Sequence, residues 1–234
     1  MATKEPVLLP DNVVPSNYKL HLEPDLNTFI LTGTVDIDCQ VNEATTTISL
    51  HAREIDFKSV SFTSTDSSAK VEAINISLNL GQHETPYVAT FTFGGEIPVG
   101  PGVLHISYVG ELNDKMAGFY RSRYQSVTGE EKFMASTQFE ALDARRCLPC
   151  WDEPDVKATF ECSLTVADHL TAFSNMPETT VTQLKDNKKL IHFDVTPKMS
   201  TYLLAFCVGE FDFVQAYTKS RVAVRVYTPP GKQH

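Results

Sequence analysis

The sequence predicts an all-β fold, and three observations carry that prediction. Short runs rich in Val, Thr, Ile and Phe recur along the chain. Several of them alternate apolar and polar residues with the two-residue period of a strand. Turn residues separate them at intervals of roughly 8–12 residues, the spacing of a sandwich or a large twisted sheet. No long amphipathic stripe of helical period interrupts the pattern.

The elements follow in order. Residues 18–23 alternate and are stopped by Pro24-Asp25. Residues 32–41 alternate again, which places Val35, Ile37, Cys39 and Val41 on one face and Thr34, Asp36, Asp38 and Gln40 on the other. Further strands are expected at 47–52, 57–63, 71–80, 87–93 and 103–109. The second half adds 133–137, 159–166, 181–183, 190–195, 202–208, 211–217 and 222–227. Gly81-Gln82, Gly94-Gly95, Gly100-Pro101-Gly102 and Lys185-Asp186-Asn187 read as turns between them. Met116-Ala117-Gly118-Phe119-Tyr120 reads as a turn followed by an aromatic anchor. The longest irregular stretch is 141–156, and long loops on a rigid β scaffold often carry function. Residues 1–228 are expected to form one β domain. Pro229-Pro230-Gly231 then read as the start of an interdomain linker over 229–234.

Composition narrows the partners. At 42% hydrophobic and 21% charged, the chain is globular rather than disordered. A net charge of −9 opposes binding to nucleic acid or to an anionic membrane. No apolar run approaches the ~18 residues a membrane span needs. The opening Met1-Ala2-Thr3-Lys4-Glu5-Pro6 lacks the apolar core of a signal peptide, and the five cysteines, an odd number, show no disulfide framework. The expected location is therefore cytoplasmic, where the sequon Asn75-Ile76-Ser77 is silent.

No complete active site is legible. The seven histidines include no pair at i, i+4, so no H-E-x-x-H is present, and no metal site is expected in this chain. His21, His51, His105 and His192 fall in or beside strands and read as structural. Cys147-Leu148-Pro149-Cys150 lacks both the βαβ context of a redox motif and the second C-x-x-C of a zinc site, which favours packing over labile thiols or metal. No G-x-S-x-G or Gly-rich phosphate loop occurs. Gln138-Phe139-Glu140 closes a strand before the long loop. Alternation puts Gln138 and Glu140 on one face, where a carboxylate and an amide can hold an ammonium group. The same residues also allow a solvated carboxylate, or an ion pair from Glu140 to Arg145 or Arg146. The charged segment from Asp143 to Pro154 reads as a loop pinned by arginine–carboxylate pairs.

Four segments together resemble a known family. They are Leu9-Pro10-Asp11-Asn12-Val13-Val14-Pro15-Ser16-Asn17-Tyr18, Met116-Ala117-Gly118-Phe119-Tyr120-Arg121-Ser122, the run from Gln138 through Trp151-Asp152-Glu153-Pro154 to Phe160, and Pro197-Lys198-Met199-Ser200-Thr201-Tyr202 with the residues after it. They are similar to the gluzincin zinc aminopeptidases, a family that includes aminopeptidase N, puromycin-sensitive aminopeptidase and the fungal alanine/arginine aminopeptidases. The resemblance implies a saddle-like, strongly twisted multi-sheet N-terminal domain. It implies that a separate catalytic domain of the parent carries the zinc, the H-E-x-x-H helix and a G-A-M-E-N loop. This domain would bind no cofactor and be inactive alone. Its partners would be peptide N-termini and the parent's own catalytic domain. By match to the family's Q-x-E, Gln138 and Glu140 would line the pocket for the first side chain, with Glu140 on the substrate α-ammonium. Leu142, Cys147, Leu148 and Trp151 depart from the family's usual residues but leave the Q-x-E intact.

Overall fold

The computed structural model describes residues 8–79 and 87–232. The opening six residues, the Gly81-Gln82 turn, His83 and His234 lie outside the described residues. The strands are β1 (Val13–Pro24), β2 (Ile30–Val41), β3 (Thr45–His51), β4 (Asp56–Ser64), β5 (Lys70–Asn79) and β6 (Val88–Ile97). They continue as β7 (Gly100–Glu111), β8 (Gly118–Gln125), β9 (Glu131–Gln138), β10 (Lys157–Ala167), β11 (Thr171–Ser174) and β12 (Glu178–Gln183). The last are β13 (Lys188–Phe193), β14 (Met199–Ser200), β15 (Phe206–Gly209), β16 (Asp212–Tyr217) and β17 (Ala223–Thr228). Two single 3-10 turns, Ala144–Arg146 and Thr201–Leu203, are the only helical segments among the described residues. The class is all-β, as the sequence predicts.

An eleven-stranded sheet runs in the order β12-β13-β10-β1-β2-β7-β4-β5-β6-β3, with β14 added beside β10. β11-β15-β9-β8 form a second sheet, and β16-β17 pair only with each other. Neighbours are antiparallel except β1 and β10, which run parallel with Asn17 opposite Thr159. The large sheet turns a corner within β5. Lys70, Val71 and Glu72 pair with β4, whereas Ala73 to Asn79 pair with β6. The turn brings Phe91 of β6 edge-on against Phe57 of β4, with ring centroids 5.1 Å apart. Strands that switch sheets at such a bend make the corners of orthogonal β packings.

The core follows the sequence period. Val35, Ile37, Cys39 and Val41 are buried, while Thr34, Asp36, Asp38 and Gln40 face outward with partial or full exposure. Burying each large apolar side chain contributes roughly 1.5–3 kcal/mol. Two glycines let aromatic rings lie on the backbone of β2 and β7. A Cβ at Gly33 would fall 2.2 Å from Tyr108 Cζ, and one at Gly102 would fall 2.2 Å from Phe62 Cζ. Both rings are almost fully buried.

Three expectations are corrected. Gly94-Gly95 lies inside β6, and Gly100-Pro101-Gly102 opens β7 instead of forming a turn. Gly102 is needed there for ring clearance, and Pro101 sits at the strand start, where a missing N–H is tolerated. The strand expected over 202–208 is broken: Thr201–Leu203 forms a 3-10 turn and β15 begins only at Phe206. Met116 and Gly118 have positive φ and make the expected turn, but the residues after it form the full strand β8.

Candidate functional site

β9 ends at Gln138, whose strand partner is Gly118 at the start of β8. Phe139 then turns into the core at 2% exposure, and Glu140 emerges into solvent. The peptide bond between Glu140 and Ala141 is cis. The Asp143 N–H donates to the Phe139 carbonyl (2.9 Å) and closes the turn. Gln138 and Glu140 are both exposed. Neither side chain has a protein partner among the described residues.

In the segment that follows, each charged side chain from Asp143 to Glu153 is engaged, although the buried Trp151 Nε1 has no partner among the described residues. Arg145, 4% exposed, donates through Nε to Asp152 Oδ2 (2.8 Å) and through Nη2 to the Asp152 carbonyl (3.0 Å). Burial pushes the Asp152 carboxyl up, while the Arg145 guanidinium beside it opposes the shift. Arg146 donates through Nε to Asp143 Oδ1 (2.7 Å) and through Nη1 to Glu54 Oε2 (2.5 Å). Glu153 accepts from the Leu9 N–H (2.8 Å). Both arginines that could have paired with Glu140 are thus committed elsewhere, and Glu140 has no ion-pair partner among the described residues.

The loop is fastened to several parts of the fold. His51 and Cys150 exchange both backbone hydrogen bonds, at 2.9 and 3.1 Å. The Asp152 N–H donates to His51 Nδ1 (3.2 Å), which fixes that nitrogen as the acceptor and puts the ring proton on Nε2. Burial, with a smaller push from Arg145, drives the His51 pKa down to about 3, so the ring is neutral. Tyr108 donates to the Cys147 carbonyl (2.9 Å), the Trp151 N–H donates to Tyr18 Oη (3.1 Å), and Thr201 Oγ1 donates to the Trp151 carbonyl (2.9 Å). Tyr18 in turn stacks on Phe160 at 4.9 Å across the parallel β1–β10 pair. The free cysteines Cys147 and Cys150 are fully buried in this packing, and burial pushes both thiols up. A buried thiol with a raised pKa lacks the accessible thiolate that redox chemistry requires.

No three His, Cys, Asp or Glu side chains among the described residues come together to hold a metal ion. His21 instead meets Ser163 Oγ (2.9 Å), and His105 meets Asp36 Oδ1 (2.8 Å) and Thr63 Oγ1 (3.2 Å). A cleft of about 640 Å³ opens at the other end of β9, beside Glu131 and Lys132, and does not include Gln138 or Glu140. Its lysines are already paired within the chain, Lys132 with Glu210 and Lys188 with Glu23. No helix among the described residues is long and apolar enough to cross a membrane.

Residues 14–203 match the peptidase M1 N-terminal domain. The chain belongs to that family. The M1 domain shares 43% identity over 226 residues with a puromycin-sensitive aminopeptidase of Caenorhabditis elegans, covering 96% of this chain and 23% of that protein. It shares 45% identity with aminopeptidase M1 of Arabidopsis thaliana, covering 96% and 25% of the two chains. With the alanine/arginine aminopeptidase of Saccharomyces cerevisiae the identity is 42%, covering 97% and 26%. The M1 domain described here thus spans about a quarter of the length of the curated relatives it matches. Local spacing gave no route to two members of the site's surroundings. Glu54 lies 92 residues before its partner Arg146, and the His51 ring lies 101 before the Asp152 N–H.

Proposed function

We propose that this chain is the N-terminal domain through which a zinc-dependent aminopeptidase holds the free N-terminus of its peptide substrate. The observation that carries the reading is the exposed, unpartnered pair Gln138 and Glu140 on a segment whose other charges are satisfied. An exopeptidase must hold the free amine at a fixed distance from the bond it cleaves. A carboxylate on a rigid strand end does this by accepting charge-assisted hydrogen bonds from the ammonium. The Gln138 carbonyl oxygen supplies a further acceptor and, with Glu140, one wall of the first side-chain pocket. Zinc, when bound by the parent's catalytic domain, supplies hydrolysis. The side chains described here do not form a zinc site and contribute only binding and orientation. The domain's partners are peptide N-termini and the parent's own catalytic domain.

Residues 1–228 act in this reading as one unit. Ring contacts of Phe173 with Phe211 (5.6 Å) and Tyr227 (4.4 Å) tie the β16-β17 hairpin to the second sheet. The five free thiols fit a reducing, cytoplasmic location.

The test is Glu140→Gln in the parent polypeptide, assayed on aminoacyl amides with zinc content measured alongside. Loss of about 2–4 kcal/mol of transition-state binding is expected, roughly a 30- to 1000-fold fall in kcat/KM. Equal activity of variant and wild type, at equal zinc, refutes the anchoring role. A parent without aminopeptidase activity points instead to a non-catalytic binding module.

A further inference from the structure

Three segments meet at one side chain next to the Gln138–Glu140 turn. Arg146 has only 9% of its side chain exposed and holds two carboxylates at once: Asp143, which closes the turn, and Glu54, on the connection from β3 to β4. Its stem also lies under the start of β8. Gly118 has φ +73°, and a Cβ there would sit 2.7 Å from Arg146 Cβ. Gly118 is the residue paired directly with Gln138. The Arg146 N–H donates to the Asp143 carbonyl (3.1 Å), and the Asp143 N–H donates to the Phe139 carbonyl, so the tie to the turn runs through both side chain and backbone.

We propose that Arg146 is the positioning residue for Glu140. This rests on the reading of Glu140 as the ammonium anchor. Arg146 acts in two ways that follow from its contacts. A planar guanidinium engaged by two carboxylates on different segments fixes their separation, and Asp143 passes that constraint to the turn that presents Glu140. The same cation is the ion-pair partner of Asp143 and shares Glu54 with Arg53 and Lys115, each 3.9 Å away. Glu140 is then the one uncompensated carboxylate of the turn, and an incoming ammonium has a single place to bind. Without Arg146, Asp143 loses its cation and becomes a second carboxylate on the same turn that competes for the ammonium.

The experiment uses the zinc-loaded parent polypeptide and compares Glu140→Gln, Arg146→Gln, Arg146→Lys and the Glu140→Gln/Arg146→Gln double variant on aminoacyl amides. Arg146→Gln is expected to lose about 10- to 100-fold in kcat/KM, divided between KM and kcat in the same proportion as for Glu140→Gln. Arg146→Lys should recover part of that loss, since an ammonium restores charge but not the two-pronged geometry. The double variant should be no worse than Glu140→Gln by more than about twofold, because Arg146 works through Glu140. If Arg146→Gln fails to fold, Asp143→Asn weakens the side-chain link to the turn by removing its charge and should lower kcat/KM in the same direction. Unchanged kinetics for Arg146→Gln or Asp143→Asn overturn the proposal, as do losses that multiply in the double variant. An inert Glu140→Gln overturns the anchor reading itself, whereas an active role for Glu140 with inert Arg146 variants overturns only the positioning role.

Discussion

Replacing Gly33 by alanine tests the packing that holds the site loop. The new Cβ would lie 2.2 Å from Tyr108 Cζ, 2.5 Å from its Oη and 2.6 Å from Cε2. Carbon atoms rest about 3.5–4.0 Å apart, so the ring must retreat by more than about 1 Å within a closed core. Overpacking of this kind costs about 1–3 kcal/mol. The retreat also withdraws the Tyr108 hydroxyl from the Cys147 carbonyl, and leaving a buried acceptor unsatisfied costs about 1–3 kcal/mol more. The predicted total is about 2–6 kcal/mol, against the roughly 5–15 kcal/mol that hold a domain together. At this chain length it lowers Tm by roughly 5–20 °C. Thermal and urea unfolding followed by circular dichroism should be run on wild type, Gly33→Ala, Tyr108→Phe and the double variant. Tyr108→Phe alone should lose only the hydrogen-bond part. The double variant should match Gly33→Ala within about 0.5 kcal/mol, because the first substitution has already broken that bond. A Gly33→Ala protein within about 0.5 kcal/mol of wild type, or strict additivity of the two losses, refutes the argument.

Two further predictions concern the buried node behind the site. The His51 pKa falls from 6.5 to about 3 on folding, so the unfolded chain binds the extra proton between those values. Its stabilisation is fully present above pH 6.5 and declines as pH drops toward 3, by at most about 1.4 kcal/mol per pH unit. Asp152, raised on folding, acts in the opposite sense and offsets part of the decline in acid. Urea midpoints from pH 7 to pH 4 should therefore fall less steeply in His51→Gln than in wild type, and parallel slopes would exclude His51 as a source. Arg145→Met leaves the Asp152 carboxylate buried without its partner and should cost about 3–5 kcal/mol, more than Arg145→Met/Asp152→Leu, in equilibrium unfolding. A double variant no better than the single would show that the pair is not the source of the cost.

Much of the fold was legible where the two-residue period is clean. β2 is the best case, since its alternation sorted buried from outward residues correctly from Thr34 to Val41. Glycines misled the reading where they serve clearance instead of turning. Gly102 lies beneath the Phe62 ring, and nothing local in the sequence distinguishes that use from a turn. β8 was hidden by Arg121, Ser122 and Arg123, polar residues on a strand of a small second sheet with a largely open surface. The bend within β5 and the parallel β1–β10 pairing depend on contacts between distant segments, which carry no local signature. At the site, alternation put Gln138 and Glu140 on one face, and the structure exposes both and buries Phe139 between them. The sequence left open whether Glu140 pairs with Arg145 or Arg146. Only the three-dimensional placement of Asp152, Asp143 and Glu54 assigns both arginines to other carboxylates.

The parallel pairing of β1 with β10 also bears on how the protein is made. Thr159 and its partner Asn17 are 142 residues apart. A ribosome adding about 5–20 residues per second therefore presents β1 roughly 7–30 s before β10 exists to cover its second edge. β2 follows at once and can pair with the first edge, but the other edge of β1 stays open through that interval. An unpaired edge beside Leu20 and Leu22, both buried in the finished fold, is a ready template for another nascent chain. The yield of native protein from synthesis should therefore depend on how fast residues 25–167 are translated, and on chaperones that shield that edge. Codon changes confined to that span would alter soluble yield without altering a single residue of the finished protein.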